Sequence, residues 1–234
     1  VAFILGGARV AAEPPSTQKR AVLSPEVAAE ARKAVDRGLA YLQSKQEPDG
    51  GWTTPYGPAV AAIVAQAFAQ DQDRGPRHPI VRRAAGYILK FEQSDGGIYE
   101  RQQNLANYQT SVVLMFLSGM DDPAMRPRIV QAQEFLKRLQ YTEEESIDLQ
   151  NPWYGGAGYN EAKRPDLSNT QMMLEALHQS GLPPSDPVYQ RALKFVARCQ
   201  MYDPGNDQLF ADGQTDGGFI YSSNQGGESK ASED

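Results

Sequence analysis

A Gly-Gly turn with an aromatic residue close behind it occurs four times in this chain, and it constrains the fold more than any other feature. The two best copies read Gln-Glu-Pro-Asp-Gly-Gly-Trp at 46–52 and Gln-Ser-Asp-Gly-Gly-Ile-Tyr at 93–99. Weaker copies lie at 153–159 and 216–221, so the Gly-Gly step recurs after 46, 59 and 62 residues. This repetition predicts an array of similar units that must stack on one another to bury a core.

The glycines of these turns most simply supply positive φ angles and let the backbone pass close to a neighbouring helix. We therefore predict a structural role for the turn, in which the aromatic residue covers the ends of stacked helices. The predicted turn residues are Gly50, Gly51, Trp52, Gly96, Gly97, Tyr99, Gly155, Gly156, Gly217 and Gly218.

The segments between the turns are of two kinds. Residues 187–200 show one apolar stripe of an α-helix, with Arg191, Lys194 and Arg198 on the other face, which predicts an outer amphipathic helix. Residues 59–69, 105–118 and 167–180 are apolar nearly all round, which predicts inner helices enclosed by others. The outer helices are predicted to start at a residue followed by proline, at Ser24-Pro25, His78-Pro79, Arg126-Pro127 and Asp186-Pro187.

Composition excludes several classes of function. The formal net charge of −6 argues against nucleic-acid binding. The sequence contains no run of about 18 apolar residues, so it predicts no transmembrane segment. The single cysteine, Cys199, is predicted to be a small buried apolar residue. The only histidines are His78 and His178, and the sequence predicts neither a metal site nor a cofactor.

The N-terminus differs from the rest of the chain. Residues 1–12 resemble the end of a signal peptide, because an apolar stretch is followed by Val10-Ala-Ala, which fits the small-x-small cleavage rule. This predicts export to the periplasm or outside the cell. Residues 13–24 are a polar, proline-rich stretch that predicts a flexible linker, and residues 25–234 are predicted to form the repeat domain.

The recurring Gln, Asp-Gly-Gly-aromatic turn between apolar helices resembles the prenyltransferase and squalene-oxidase repeat family, over roughly residues 30–225. This family includes squalene–hopene cyclases, oxidosqualene cyclases and the β subunits of protein prenyltransferases. The resemblance implies an all-α fold, an α/α toroid of the α6/α6 barrel type built from helical hairpins. Here it implies an incomplete ring of about seven helices whose inner helices line a hydrophobic cavity.

The same resemblance points to residues 166–171 as the place of the cyclase acid motif. Asp166 and Thr170 match that motif, but Ser168 and Asn169 stand where the proton donor and its partner belong, and a serine hydroxyl is far too weak an acid to protonate an alkene. Asp166 is therefore only a weak catalytic candidate. Asn107 begins the preceding inner helix with a similar sequence, and the simplest account of Asn107 and Asn169 is N-capping.

Three functions follow as hypotheses. The first is an exported, squalene-cyclase-like repeat protein that binds an isoprenoid-like hydrophobic molecule, with Asn107, Asp166 and Asn169 at the cavity mouth. The second is an active terpenoid cyclase or isomerase whose acid lies outside these residues. The third is a helical scaffold that binds other proteins, chiefly through the long loop Tyr141–Pro165. The sequence does not indicate an oligomeric state.

Overall fold

A computed structural model describes residues 23–52, 56–160 and 164–230, and their regular structure is helical, which confirms the predicted all-α fold. Short 3₁₀ turns and isolated β-bridges connect the helices. The predicted signal segment 1–12 and linker residues 13–22 lie outside the described residues. The α-helices are α1 (Pro25–Ser44), α2 (Pro58–Ala69), α3 (Pro79–Ile88), α4 (Ala106–Ser118), α5 (Arg126–Arg138), α6 (Leu167–Gln179) and α7 (Pro187–Cys199).

The chain divides into two units, one ending at Ala40 and the other beginning at Tyr41, so α1 starts in the first and ends in the second. In the first unit α1 is largely solvent-exposed, and an ion pair of 2.6 Å joins Arg32 to Asp36 one turn later. Of the helices described, none is both long and apolar enough to cross a membrane.

In the second unit, the predicted inner helices α2, α4 and α6 pack on one another, and the predicted outer helices α3, α5 and α7 pack on them. Helix α4 lies between α2 and α6, while α3 packs on α2, α5 on α4 and α7 on α6. Phe68 on α2 and Phe116 on α4 are buried, as predicted for inner helices. Helix α6 differs from that prediction, because Gln171 and Glu175 are exposed on a face that no described helix covers.

Three outer helices begin with the predicted side-chain caps. The Ser24 hydroxyl accepts from the N–H of Val27, His78 Nδ1 accepts from Ile80, and the Asp186 carboxylate accepts from Val188 at 3.0 Å. These bonds satisfy backbone donors that the helix itself leaves unpaired. The prediction fails at α5, which begins at Arg126 itself without a side-chain cap.

The first glycine of each of the first three turns touches the backbone of the following outer helix. Gly50, Gly96 and Gly155 have φ of 97°, 88° and 84°, in the left-handed region that favours glycine. A Cβ at these positions would collide with the carbonyl oxygens of Arg83 in α3, Gln131 in α5 and Arg191 in α7, respectively. We call this contact, together with those described next, a joint.

The second glycine of each joint leaves room for an aromatic ring from the same outer helix. A Cβ on Gly51 would lie 2.7 Å from the Tyr87 ring, and one on Gly97 would lie 2.9 Å from the Phe135 ring. Gly156 meets Phe195 of α7 in the same way at 2.7 Å. Both glycines of the first three pairs are thus required by close packing.

One polar residue just after each outer helix completes the joint, and after α3, α5 and α7 it lies 13 residues past the proline at the helix start. Gln46 Nε2 donates to the Ile80 carbonyl at 3.0 Å, and Gln140 Nε2 donates to the Val188 carbonyl at 3.0 Å, so each reaches the first turn of the next outer helix. In the second repeat this position is held by Glu92, which forms an ion pair of 3.0 Å with Arg128 of α5.

The second-repeat glutamine is therefore one residue out of register with the others. Gln93 stays within its own turn, where its side chain donates to the Phe91 and Tyr99 carbonyls. We use the name joint residue for the structurally equivalent set Gln46, Glu92, Gln140 and Gln200, because in each repeat the N–H of the next residue donates to the carbonyl of the second glycine.

Arg198 corrects the prediction that the polar stripe of α7 faces solvent, since its side chain is 1% exposed. Its guanidinium donates to the Asp207 carboxylate at 2.7 and 2.9 Å and to the carbonyls of Asn151 and Leu149 at 2.6 and 2.7 Å. These partners lie in two long loops, residues 141–165 and 201–216. The buried cation therefore holds both loops against α7, and Lys194 adds a second ion pair to Asp207.

Replacing the first glycine of a joint should destabilise the protein. In Gly155→Ala the new Cβ meets the Arg191 carbonyl in a left-handed conformation, which should lower the free energy of unfolding by about 2–4 kcal/mol. The control is Gly205→Ala, where the nearest atom is an ordinary 3.6 Å away and the expected loss is below about 0.5 kcal/mol. Urea unfolding followed by circular dichroism measures both, and equal losses would contradict the joint.

The Arg198–Asp207 pair should make stability depend on acid pH. The hydrogen bonds from Arg198 hold the pKa of Asp207 well below its ordinary value, so the pair stabilises the folded state above about pH 4 and this contribution is lost as the pH falls further. As the pH falls from about 5 to about 2, the free energy of unfolding should therefore decrease less for Asp207→Asn than for the native protein. Asp212→Asn, an exposed loop aspartate, should follow the native pH profile in the same thermal unfolding series.

Candidate functional site

The predicted site residues at the start of α6 form a helix cap. Asp166 is the N-cap and accepts from the Asn169 N–H at 2.8 Å, while the Asn169 Nδ2 donates to both carboxylate oxygens at 3.1 and 2.9 Å. Asp166 is 2% exposed and Asn169 is fully buried. Both oxygens of the weak catalytic candidate are thus engaged in holding the helix start.

The N-capping prediction is therefore wrong for Asn169 and also for Asn107. Asn107 lies inside α4, whose N-cap Leu105 makes no side-chain bond, and its Nδ2 donates to the carbonyls of Gly158 and Asn169 at 2.8 and 3.3 Å. Its Oδ1 accepts from the Ser111 hydroxyl at 3.2 Å. Asn107 is a buried tie between neighbouring inner helices, since α6 supplies one of its acceptors.

Sequence reasoning missed the residues that join each turn to its inner helix, Thr110 and Thr170. The Thr110 hydroxyl accepts from the N–H of Ile98 and the Thr170 hydroxyl from the N–H of Ala157, both at 3.0 Å. Each of these N–H groups follows directly after a Gly-Gly pair. The sequence does carry a signal for this role beside the match of Thr170 to the cyclase motif, because both threonines follow their turns by 12 or 13 residues.

Two tyrosines complete the surroundings of Asp166. The Tyr221 carbonyl accepts from the N–H of Leu167 at 2.9 Å, which fixes Tyr221 beside the start of α6. Burial raises the pKa of Tyr221, and the charge of Asp166 and the neighbouring Tyr159 raise it further. The phenol therefore stays protonated at neutral pH, and the cations of Arg164 and Lys230 lie 6.0 and 5.0 Å from the centre of its ring.

The nearby thiol is equally unreactive. Cys199 is fully buried, as predicted, and burial raises its pKa to about 12. Neither this thiol nor the Tyr221 phenol therefore ionises near pH 7, and a nucleophile has to be ionised or activated by a base. Within the described residues, no group of three His, Cys, Asp or Glu side chains is placed to hold a metal ion.

An apolar groove of about 530 Å³ runs along the uncovered side of α6. Its α6 residues follow the spacing of one helical stripe, α7 forms the other wall, and Phe219 from the fourth turn is 57% exposed at its edge. The polar members, Gln171, Glu175 and His178, all come from α6. The lining residues are Leu167, Gln171, Leu174, Glu175, His178, Tyr189, Val196 and Phe219.

The three predicted ligand-binding residues do not line this groove. Asn107, Asp166 and Asn169 are buried between or at the ends of α4 and α6, one residue or more away from the groove wall at Leu167. A polar cavity of about 330 Å³ reaches the start of α4, where it is lined by Asn104 and Ala106, but it does not include them either. The structure thus brings the predicted residues together as a core network.

No protein-family model matches this chain, and a comparison with curated proteins finds no significantly similar sequence. The chemistry of the cluster and the groove is therefore the basis for any functional conclusion.

The capping role of Asp166 predicts a loss of stability on substitution. Asp166→Ala removes the cap and leaves the buried Asn169 amide without an acceptor, which should lower the free energy of unfolding by about 2–4 kcal/mol. Asp166→Asn keeps one acceptor oxygen for the Asn169 N–H and should cost clearly less. Urea unfolding of both variants tests this order, and an Asp166→Ala variant as stable as the native protein would contradict it.

Proposed function

We propose that the protein binds an elongated, isoprenoid-like hydrophobic molecule in the groove between α6 and α7, as a non-catalytic relative of the squalene cyclases. The groove itself is the observation that supports this proposal. A concave apolar surface with a few polar groups on one side is the usual form of a small-molecule site.

The lining suits an apolar chain with one polar end. Leu167, Leu174 and Val196 offer aliphatic walls, and the exposed Phe219 ring can cover part of a bound molecule. Burying apolar ligand surface here gains about 25 cal/mol for each Å² removed from water. Gln171, Glu175 and His178 lie along the same stripe of α6 and can bind a hydroxyl group.

The geometry of the cluster favours binding over cyclisation. An acid that protonates an alkene must present a proton to the substrate, and both oxygens of Asp166 instead accept hydrogen bonds from Asn169. The alternative of an active cyclase or isomerase then requires an acid elsewhere. Export of the protein is also part of the proposal, because residues 1–12 resemble the end of a signal peptide.

A third function, a scaffold acting through the loop Tyr141–Pro165, has less support. Arg198 holds two carbonyls of this loop, the Trp153 indole donates to Asn224 at 2.9 Å, and the Ser223 hydroxyl donates to the Pro152 carbonyl at 2.7 Å. A loop fastened at so many points offers fewer free groups to a partner protein.

Ligand binding can be tested with farnesol and a fluorescent farnesol analogue. The native protein should bind the analogue and release it to unlabelled farnesol. Leu174→Glu places a charge in the groove and should weaken binding at least about tenfold, which corresponds to 1.4 kcal/mol. The matched control is Leu193→Glu on the outer side of α7, where the leucine is 59% exposed and outside the groove, and its affinity should be unchanged.

The same protein should be incubated with squalene and the products analysed by mass spectrometry. Absence of cyclised product together with groove-dependent farnesol binding is the expected result. Cyclised product from this 234-residue chain, or equal binding by Leu174→Glu and Leu193→Glu, would overturn the proposal.

A further inference from the structure

The polar cavity at the start of α4 lies where separate parts of the chain meet. The second Gly-Gly turn contributes Asp95 and Tyr99, α5 contributes Phe135, and the loop 141–165 contributes Asn160. Its volume of about 330 Å³ falls in the lower part of the range of small-molecule sites, about 300–1,000 Å³. It shares no described lining residue with the apolar groove on α6, so it is a second cavity with its own chemistry.

The acidic group of this cavity is held in one orientation. The Asp95 carboxylate accepts from the Gly97 N–H at 2.9 Å with one oxygen and from the Tyr99 hydroxyl at 2.6 Å with the other. The Asp95 carbonyl accepts from the Arg138 guanidinium. Because each oxygen of an ionised carboxylate can accept more than one hydrogen bond, both oxygens of Asp95 can also accept from a ligand.

Donor groups line the same cavity. Arg101 is fixed at its Nε, which donates to the Gln93 side-chain oxygen at 2.6 Å, and its two terminal amino groups can donate to a ligand. The Asn160 Nδ2 lies 3.5 Å from the Asn104 Oδ1, which is a long and weak hydrogen bond. A ligand can replace this bond at little cost, and the Asn104 amide then offers it both a donor and an acceptor.

The backbone positions these side chains in advance. Asn104 has a left-handed φ of 53° directly after the 3₁₀ turn Arg101–Gln103, and asparagine tolerates this conformation better than most residues. The Tyr159 carbonyl accepts from the Asn107 N–H at 3.0 Å, which holds the residue before Asn160 against the start of α4. A preformed site loses little conformational entropy when it binds a ligand.

The cavity also has an apolar, aromatic part. The rings of Tyr99 and Phe135 stack with their centres 5.5 Å apart, and both line the cavity together with Leu139 and Ala106. Such a surface can cover the C–H groups of a ligand, while hydroxyl groups of the same ligand reach the polar side chains. The lining thus suits a carbon ring that carries several hydroxyls.

The charges of the lining disfavour ionic ligands. Asp95 and Arg101 are the only charged side chains among the described lining residues, and their formal charges cancel. An anion would lie close to the Asp95 carboxylate, and a metal ion would find a single carboxylate beside a guanidinium. A hydroxyl group is neutral and both donates and accepts, so adjacent hydroxyls can bind the carboxylate, the guanidinium and the amides at the same time.

We propose that this cavity binds a neutral monosaccharide or disaccharide. Asp95 accepts hydrogen bonds from adjacent sugar hydroxyls, Arg101 and the amides of Asn104 and Asn160 bind the remaining ones, and the C–H groups of the sugar ring pack on Tyr99. The inference goes beyond the binding of a hydrophobic molecule and does not depend on it, because the two cavities share no described residue.

Saturation-transfer difference NMR of the 234-residue chain tests this proposal, with each sugar titrated to about ten times a Kd of about 1 mM. The native protein should bind at least one neutral sugar of the panel. The probes are glucose, galactose, mannose, N-acetylglucosamine, N-acetylgalactosamine, maltose and cellobiose.

The first variant removes the Asn104 amide without straining the backbone. Asn104→Gly keeps the left-handed conformation, which glycine adopts freely, and it should weaken sugar binding at least about tenfold. The matched control is Gln225→Gly, which removes an exposed amide at a left-handed φ of 50° outside the cavity. This control should bind sugar like the native protein.

The sequence repeat supplies a second matched pair. Asp49 accepts from the Gly51 N–H at 3.0 Å in the first turn, as Asp95 does from Gly97 in the second, but Asp49 does not line the cavity. Asp95→Asn puts an NH₂ group where the sugar requires an acceptor, so it should weaken binding at least about tenfold. Asp49→Asn should leave the affinity unchanged. Circular dichroism and the unfolding midpoint show that each variant is folded.

Several outcomes would overturn the proposal. These are a native protein that binds no sugar of the panel, equal losses in Asp95→Asn and Asp49→Asn, and equal losses in Asn104→Gly and Gln225→Gly. Inorganic phosphate and adenosine serve as an anionic and an aromatic probe, and binding of either one in place of the sugars would contradict a neutral sugar site. Leu174→Glu, which changes the groove, should leave sugar binding unchanged, so failure of the farnesol proposal is distinguishable from failure of this one.

Discussion

The close approach of a left-handed glycine to a helix carbonyl is the contact on which the helix array depends. At Gly50, Gly96 and Gly155 the turn backbone occupies space that any side chain would fill, so the following outer helix can lie directly against it. The aromatic ring and the joint residue then have fixed positions on that helix. One backbone contact thereby sets the register between successive repeats.

Much of this architecture could be predicted from the sequence, because it depends on local rules. Helical periodicity located the helices, and the capping residues before proline located most of their starts. The doubled glycine indicated close packing before any partner was known. The register of the second repeat could not be found in this way, since Gln93 matches the motif by its letters while Glu92 occupies the structural position.

Interactions between distant segments explain the predictions that failed. Arg198 lies on the polar stripe of its own helix. It is buried because one loop earlier in the chain and one later loop contact its guanidinium. Asn107 resembles a cap because it stands near a helix start, yet its Nδ2 donates to carbonyls 51 and 62 residues away. A helical wheel contains no information about partners at that distance.

The candidate site shows the same division. The resemblance singles out Asp166 as a weak catalytic candidate. In the structure its carboxylate caps the start of α6, which is a local role. The sequence does not predict the groove, because the apolar character of residues 167–180 predicts an enclosed inner helix. In retrospect Gln171, Glu175 and His178 recur on one stripe of that helix, and polar residues at such spacing indicate a face that other helices do not cover.

The backbone hydrogen bond that closes each turn has a consequence for how such a chain can vary. It joins the residue after the joint residue to the second glycine, and these two lie 4 residues apart in the first and second repeats (47 to 51 and 93 to 97), 15 apart in the third (141 to 156) and 17 apart in the fourth (201 to 218), yet its length stays between 2.7 and 2.9 Å. Lengthening a closed loop carries only a slowly growing entropic cost. This segment is therefore a natural insertion point, where new surface loops can be acquired while the stacking of the helices is unchanged.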